Sequence, residues 1–153
     1  MHAPRRLSDT HEMYLKALYR VRGERRVARV GELAAALGVS PGTVTGVLKK
    51  LKGQGFVDQE PYGVITLTPS GVAAAECTIR RYEILRAVLT DVFGVDADTA
   101  AVDACLMEHA ASPATVNRMH RMLVERTGDR DLFAPCPECA GAGECRAVSE
   151  AAG

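Results

Sequence analysis

Apolar residues recur at helical spacing from near the start of the chain. Met13, Leu15, Leu18, Tyr19 and Val21 fall on one face of residues 9–22, Asp9 or Thr10 stands where an N-cap belongs, and Gly23 closes the segment. Residues 29–57, RVGELAAALGVSPGTVTGVLKKLKGQGFV, hold two more such helices parted by a tight break at Gly38-Val39-Ser40. Ser40 is a natural cap for the second, and Pro41 suits its first turn, where no backbone N–H is needed. Gly53 and Gly55 stop that helix. The period then changes: FVDQEPYGVITLTPSG alternates apolar and polar residues about a Pro61-Tyr62-Gly63 turn, as a small hairpin does. From Val72 to Phe93 the helical period returns and ends at Gly94-Val95-Asp96. Residues 98–111 form another helix, and Ser112-Pro113 opens a last one that runs to about Arg126 before Gly128. The final 25 residues, rich in Ala, Gly, Cys and Glu, lack apolar periodicity and read as loop or as a knuckle folded around a metal.

A close helix pair followed by a hairpin is a winged helix-turn-helix. The expected fold is therefore mainly α: a winged helix-turn-helix over residues 1–71, a helical domain over 72–128 and an irregular Cys-containing tail over 129–153. Charge sharpens the division. The 153 residues are neutral overall, yet residues 1–55 carry eleven Lys and Arg against four Asp and Glu, a net of +7, and the remainder carries −7. The front half is the half suited to a polyanion.

Double-stranded DNA is the polyanion this architecture fits. Ser40, Pro41, Gly42, Thr43 and Thr45 stand at the reading end of the second helix, with Lys49, Lys50 and Arg29 placed for phosphates. Few side chains of this helix can make a bidentate base contact; the threonines offer a hydroxyl and a methyl, suited to thymine methyls or phosphates. A single copy would read weakly, so two copies on a palindrome are expected, their recognition helices about 34 Å apart. No nucleophile elbow, phosphate loop or paired-carboxylate arrangement appears, and an enzyme acting on a small-molecule substrate is not expected. No apolar run approaches a membrane span and no signal peptide is visible, which points to a cytoplasmic protein.

The stretch DACLMEHA, residues 103–110, raises a different chemistry. On a continuous helix Cys105, Glu108 and His109 share an arc of about 100°. Two readings stand: three metal donors facing one point, or a buried cysteine, a capped histidine and a surface glutamate. A resemblance bears on the choice. TxEMYLKALY, the ARVGELAAALGVSPGTVT helix-turn-helix, LTPSG after the wing, LTDVFGVD and ACxxEH resemble, in unbroken order from about residue 7 to 126, the metal-dependent repressors of the diphtheria toxin repressor family. The resemblance implies a dimer held through the helices of residues 72–126 and a regulatory site made by Met13, Cys105, Glu108 and His109. Thioether and thiolate donors favour Fe(II), with Co(II), Ni(II) or Mn(II) as substitutes in vitro. That implies an Fe(II)-activated repressor controlling iron homeostasis. The family's ancillary site corresponds to Tyr82, Arg86 and Ala101, which cannot form it; Arg86 would leave a fixed positive charge there. Val88, Leu89, Val92, Leu106 and Met107 offer apolar faces for dimerisation, or for the chain's own core.

CPECAGAGEC, residues 136–145, supplies Cys136, Cys139 and Cys145. Closely spaced thiols among glycines suit Zn(II) or an iron-sulfur cluster, one ligand short of closure. In the alternative function, these cysteines are the principal redox or iron sensor of a winged-helix regulator.

Overall fold

A computed structural model of the protein describes residues 7–60 and 63–133. The chain separates into two compact units, and the division falls between Glu76 and Cys77.

The first unit opens with α1, Asp9–Arg22. Its cap is Ser8 rather than Asp9 or Thr10: extended backbone there lets the hydroxyl accept from the His11 N–H at 3.2 Å. Asp9 and Glu12 then lie in the first turn, where the helix dipole favours negative charge. Leu15 and Leu18 face inward and are buried. A two-residue strand, β1 (Ala28–Arg29), leads into α2 (Val30–Leu37), and Gly38 in the left-handed region (φ 66°) turns its amide back onto Ala34. Ser40 caps α3 (Pro41–Gly53), accepting from the Thr43 N–H at 3.2 Å, with Pro41 in the first turn as expected.

β2 (Val57–Gln59) and β3 (Val64–Leu67) form the hairpin, whose turn at Pro61-Tyr62 lies outside the described residues. Register pairs Val57 with Leu67 and Gln59 with Ile65, while β1 adds to the other edge of β3 through Ala28 opposite Ile65. The sheet order is thus β1-β3-β2, all antiparallel. β1 was not expected, because two residues are too few to show a period of two. Leu33, Val44, Leu48, Leu51, Phe56 and Ile65 are buried between helices and sheet, each contributing about 1.5–3 kcal/mol by leaving water.

One exposed cluster at the start of α2 should make stability depend on pH. Glu32 accepts from the Arg25 guanidinium at 2.8 Å and from the Arg29 backbone N–H at 2.9 Å. The Arg25 bond, then the Arg29 N–H, hold its carboxyl below the usual carboxylate range. A carboxyl depressed by folding stabilises above its unfolded value and loses that contribution as pH falls through the folded one. Glu32→Gln should therefore lower the melting temperature slightly at neutral pH, with the gap closing in acid. Paired calorimetry across a pH series checks this.

Helix α4 (Pro69–Ala87) begins against the wing. Thr68 donates its hydroxyl to the Gly55 carbonyl at 2.6 Å and its N–H to Phe56 O at 3.1 Å; the same hydroxyl accepts from the Gly71 N–H. Ala74 and Ala75 extend the first unit's core along α4.

The second unit contains the rest of α4, one π turn over Val88–Val92, α5 (Ala97–Met107) and α6 (Pro113–Thr127). Asp96 caps α5 through the Thr99 N–H at 2.9 Å, and Ser112 with Pro113 starts α6. Helix α5 stops four residues before the expected 111. Its last carbonyls turn over early: Met107 O accepts from both Ala110 and Ala111, as the chain must leave helical geometry before Ser112-Pro113. Ile84, Val88, Val116 and Leu123 form the core, with Val92, Met119, Met122, Leu132 and Phe133 packed against it. Val88 thus belongs to the chain's own interior, with the partly buried Val92 packed against it. Phe93, Val102, Leu106 and Met107 are the exposed large apolar residues of this unit. Residues 129–133, expected as the start of the irregular tail, are tied down: Arg80 Nε donates to Phe133 O at 2.7 Å and the His120 ring bonds Leu132 O.

Candidate metal centre and DNA-reading face

Helix α3 shows a sharp division. Val44, Leu48 and Leu51 are buried, whereas Pro41, Gly42, Thr43, Thr45, Gly46, Lys49, Lys50 and Lys52 are exposed. Ser40 and Arg29 are exposed on the same unit. Every reading and phosphate-binding residue expected from the sequence therefore faces solvent. Gly46 and Lys52 share this exposed surface, since the helical period that places Val44 inward places Gly46 outward.

The hydroxyls on this helix are already engaged. Ser40 and Thr43 bond each other at 2.9 Å, and Thr45 Oγ1 donates to Pro41 O at 3.0 Å.

In the second unit, the end of α5 brings two of the expected donors together. Glu108 is fully buried, and its Oε1 lies 3.2 Å from His109 Nε2, itself only 10% exposed. Arg81 of α4 holds this corner by donating to the Glu108 backbone carbonyl at 3.0 Å. A buried carboxylate beside an imidazole nitrogen is a hard and borderline donor pair of the kind that holds a divalent ion. Cys105 is placed differently: it is exposed in the last turn of α5. Among the described residues no group of three or more His, Cys, Asp and Glu converges. The reason is local, since α5 ends at Met107 and His109 lies in the turn beyond. Met13 belongs to the first unit, exposed on α1.

At the positions matched to an ancillary site, Arg86 is not a free charge. Its Nη2 and Nε contact Glu83 Oε2 at 2.9 and 3.3 Å, and that hydrogen bond, reinforced by the carboxylate's charge, holds the guanidinium protonated even more firmly than usual. Cys136, Cys139 and Cys145 lie outside the described residues.

A winged, basic reading unit joined to a helical unit with a buried donor pair defines a non-catalytic DNA-binding regulator. Similarity to known proteins agrees. Residues 6–65 match the iron dependent repressor N-terminal DNA binding domain, and residues 68–130 match the iron dependent repressor metal binding and dimerisation domain. The chain belongs to the family that these two domain models describe, the metal-dependent helix-turn-helix transcriptional regulators. It is 33% identical over 125 residues to an uncharacterized HTH-type transcriptional regulator of Methanocaldococcus jannaschii, covering 81% of this chain and 99% of that one. To the diphtheria toxin repressor of Corynebacterium efficiens it is 31% identical over 121 residues, covering 79% of this chain and 53% of the repressor. A solved manganese-dependent transcriptional repressor in complex with manganese is similar at a TM-score of 0.67 and 32% identity, over 74% of this chain and 52% of that structure. The chain thus spans about half the length of those last two proteins. The family models are named for iron and the solved relative for manganese, which establishes the family without selecting a metal. No helix among the described residues is long and apolar enough to cross a membrane.

Proposed function

We propose that this chain is an Fe(II)-activated repressor that binds palindromic operator DNA as a homodimer to control iron homeostasis, with Met13, Cys105, Glu108 and His109 as the regulatory ligands. The observation that carries the reading is the buried Glu108 carboxylate 3.2 Å from His109 Nε2, inside the segment matched to the metal-binding domain. When bound, the metal supplies a Lewis-acidic centre that prefers one arrangement of its donors over others. Glu108 and His109 supply a preformed half of the set, and Arg81 fixes the turn that carries them. Cys105 and Met13 add sulfur donors, which lean the set toward Fe(II) over Mn(II).

Both sulfur donors are exposed, so recruiting them costs little desolvation. A hundredfold preference of the donor set for the DNA-competent arrangement supplies about 2.7 kcal/mol, enough to turn weak operator binding into strong. Exposed Val102, Leu106 and Met107 on α5 and Phe93 before it suit a dimer contact. The test is an anaerobic gel shift with Fe(II) and Mn(II) titrated separately at fixed salt. Retardation of a duplex by Fe(II) at lower concentration than by Mn(II) is expected. Equal retardation in excess chelator removes the metal-dependent reading.

A further inference from the structure

The outward stripe of α3 is unusual for a helix that must recognise DNA, because its centre is nearly bare. Gly42, Thr45, Gly46 and Lys49 are spaced i, i+3, i+4 and i+7, which puts them on one exposed face opposite Val44, Leu48 and Leu51. Glycine inside a helix is less favourable than alanine, so two on one stripe call for a cause. No cause lies among the described residues. A Cβ at Gly46 would meet nothing within 4 Å, and one at Gly42 would meet only Ser40 Oγ at 3.9 Å, an ordinary contact. Neither residue has the positive φ that would require glycine. Gly71 in the same unit is the contrast, since its missing Cβ is explained by the Phe56 carbonyl.

The side chain between the two glycines is also specific in what it offers. Thr45 commits its hydroxyl proton to Pro41 O at 3.0 Å, and the Ser40 and Thr43 hydroxyls are bonded to each other. With its donor spent inside the helix, Thr45 presents its γ-methyl. On a base edge in the major groove, the group that an outward methyl recognises is the C5-methyl of thymine.

We propose that α3 reads its operator by close backbone approach and methyl contact, with Gly42 and Gly46 as the approach positions and Thr45 as the residue that selects thymine. Lys49, one turn further on, then reaches phosphate rather than base. This rests on the DNA-binding reading above and adds to it which residue selects and what it selects.

The experiment uses the full-length metal-loaded chain and a duplex that the protein itself selects from a randomised pool. Gly46→Ala should raise the melting temperature, since alanine is the better helix residue and the space is open. It should also weaken binding to the selected duplex by about tenfold or more, the cost of one lost base-pair contact. Thr45→Val, which keeps a methyl, should retain more affinity than Thr45→Ser, which keeps the hydroxyl. Replacing the contacted thymines by deoxyuridine should cost about fourfold for each methyl removed. If Gly46→Ala binds like the parent, if serine outperforms valine at 45, or if deoxyuridine is neutral, the proposal is overturned. If no duplex is enriched at all, the DNA-binding reading itself fails and takes this inference with it, an outcome plainly different from the other three.

Discussion

Met13→Leu should cut ferrous-dependent operator affinity by about 10–100-fold, the usual range when a metal site loses a supporting group, while leaving the metal-free protein unchanged in stability. The reasoning starts from exposure. Met13 is 42% exposed on α1, so exchanging its thioether for an isobutyl group of similar size removes a donor without opening a cavity. His109→Ala should abolish the same response but with a further effect, because Glu108 is fully buried and would lose the imidazole 3.2 Å away. A buried carboxylate deprived of a partner destabilises the fold. The two variants together separate ligand loss from unfolding: fluorescence anisotropy under anaerobic Fe(II) at fixed salt reads affinity, and circular dichroism reads the helices. Full metal response in Met13→Leu, with the helices intact, would remove Met13 from the ligand set.

Gly71→Ala should lower stability by about 3 kcal/mol or more, near the upper end for overpacking. A Cβ there would sit 2.0 Å from Phe56 O, 3.0 Å from Phe56 C and 3.1 Å from Leu67 Cδ2. No side-chain rotation relieves a clash with a backbone carbonyl, and that carbonyl is held by the Thr68 N–H at 3.1 Å. The start of α4 must move away from the wing. For a chain of this size the melting temperature should fall by roughly 10 °C. Gly31→Ala, in α2 with nothing within 4 Å of its would-be Cβ, is the control and should melt slightly higher than the parent. Equal melting of Gly71→Ala and parent would contradict the packing of α4 on Phe56.

These two glycines show what the sequence could and could not convey. Both stand in helical pattern, and nothing local distinguishes the crowded one from the open one, because the crowding comes from Phe56, fifteen residues away. Features set by neighbours a few positions apart were legible: Ser40 as cap, Pro41 in the first turn, the break at Gly38, Ser112-Pro113 opening α6 and Gly128 closing it. The buried face of α3 followed from the helical period, and that of α1 only in part: Leu15 and Leu18 are buried as expected, but Met13 is exposed and Tyr14 is buried in its place. Strand β1 did not, since Ala28 and Arg29 acquire their role only by pairing with Ile65 and Val64. Nor could periodicity tell whether Val88 and Leu106, both apolar, face the interior or solvent; one is buried and the other 71% exposed. Glu108 and His109 were legible as candidate donors from their residue types. The exposure of Cys105 was not, because it depends on where α5 gives way to a turn.

The anchoring of Leu132 and Phe133 by Arg80 and His120 has a practical consequence. The helical unit does not finish with its last helix: two partly buried apolar side chains beyond Gly128 pack against its core, as Met119 and Met122 do. A version trimmed at residue 128 would uncover those methionines and leave the Arg80 guanidinium and the His120 ring without the carbonyls they hold. Such a fragment would be sticky for reasons unrelated to its function, so any shortened form meant to isolate this unit has to retain Phe133.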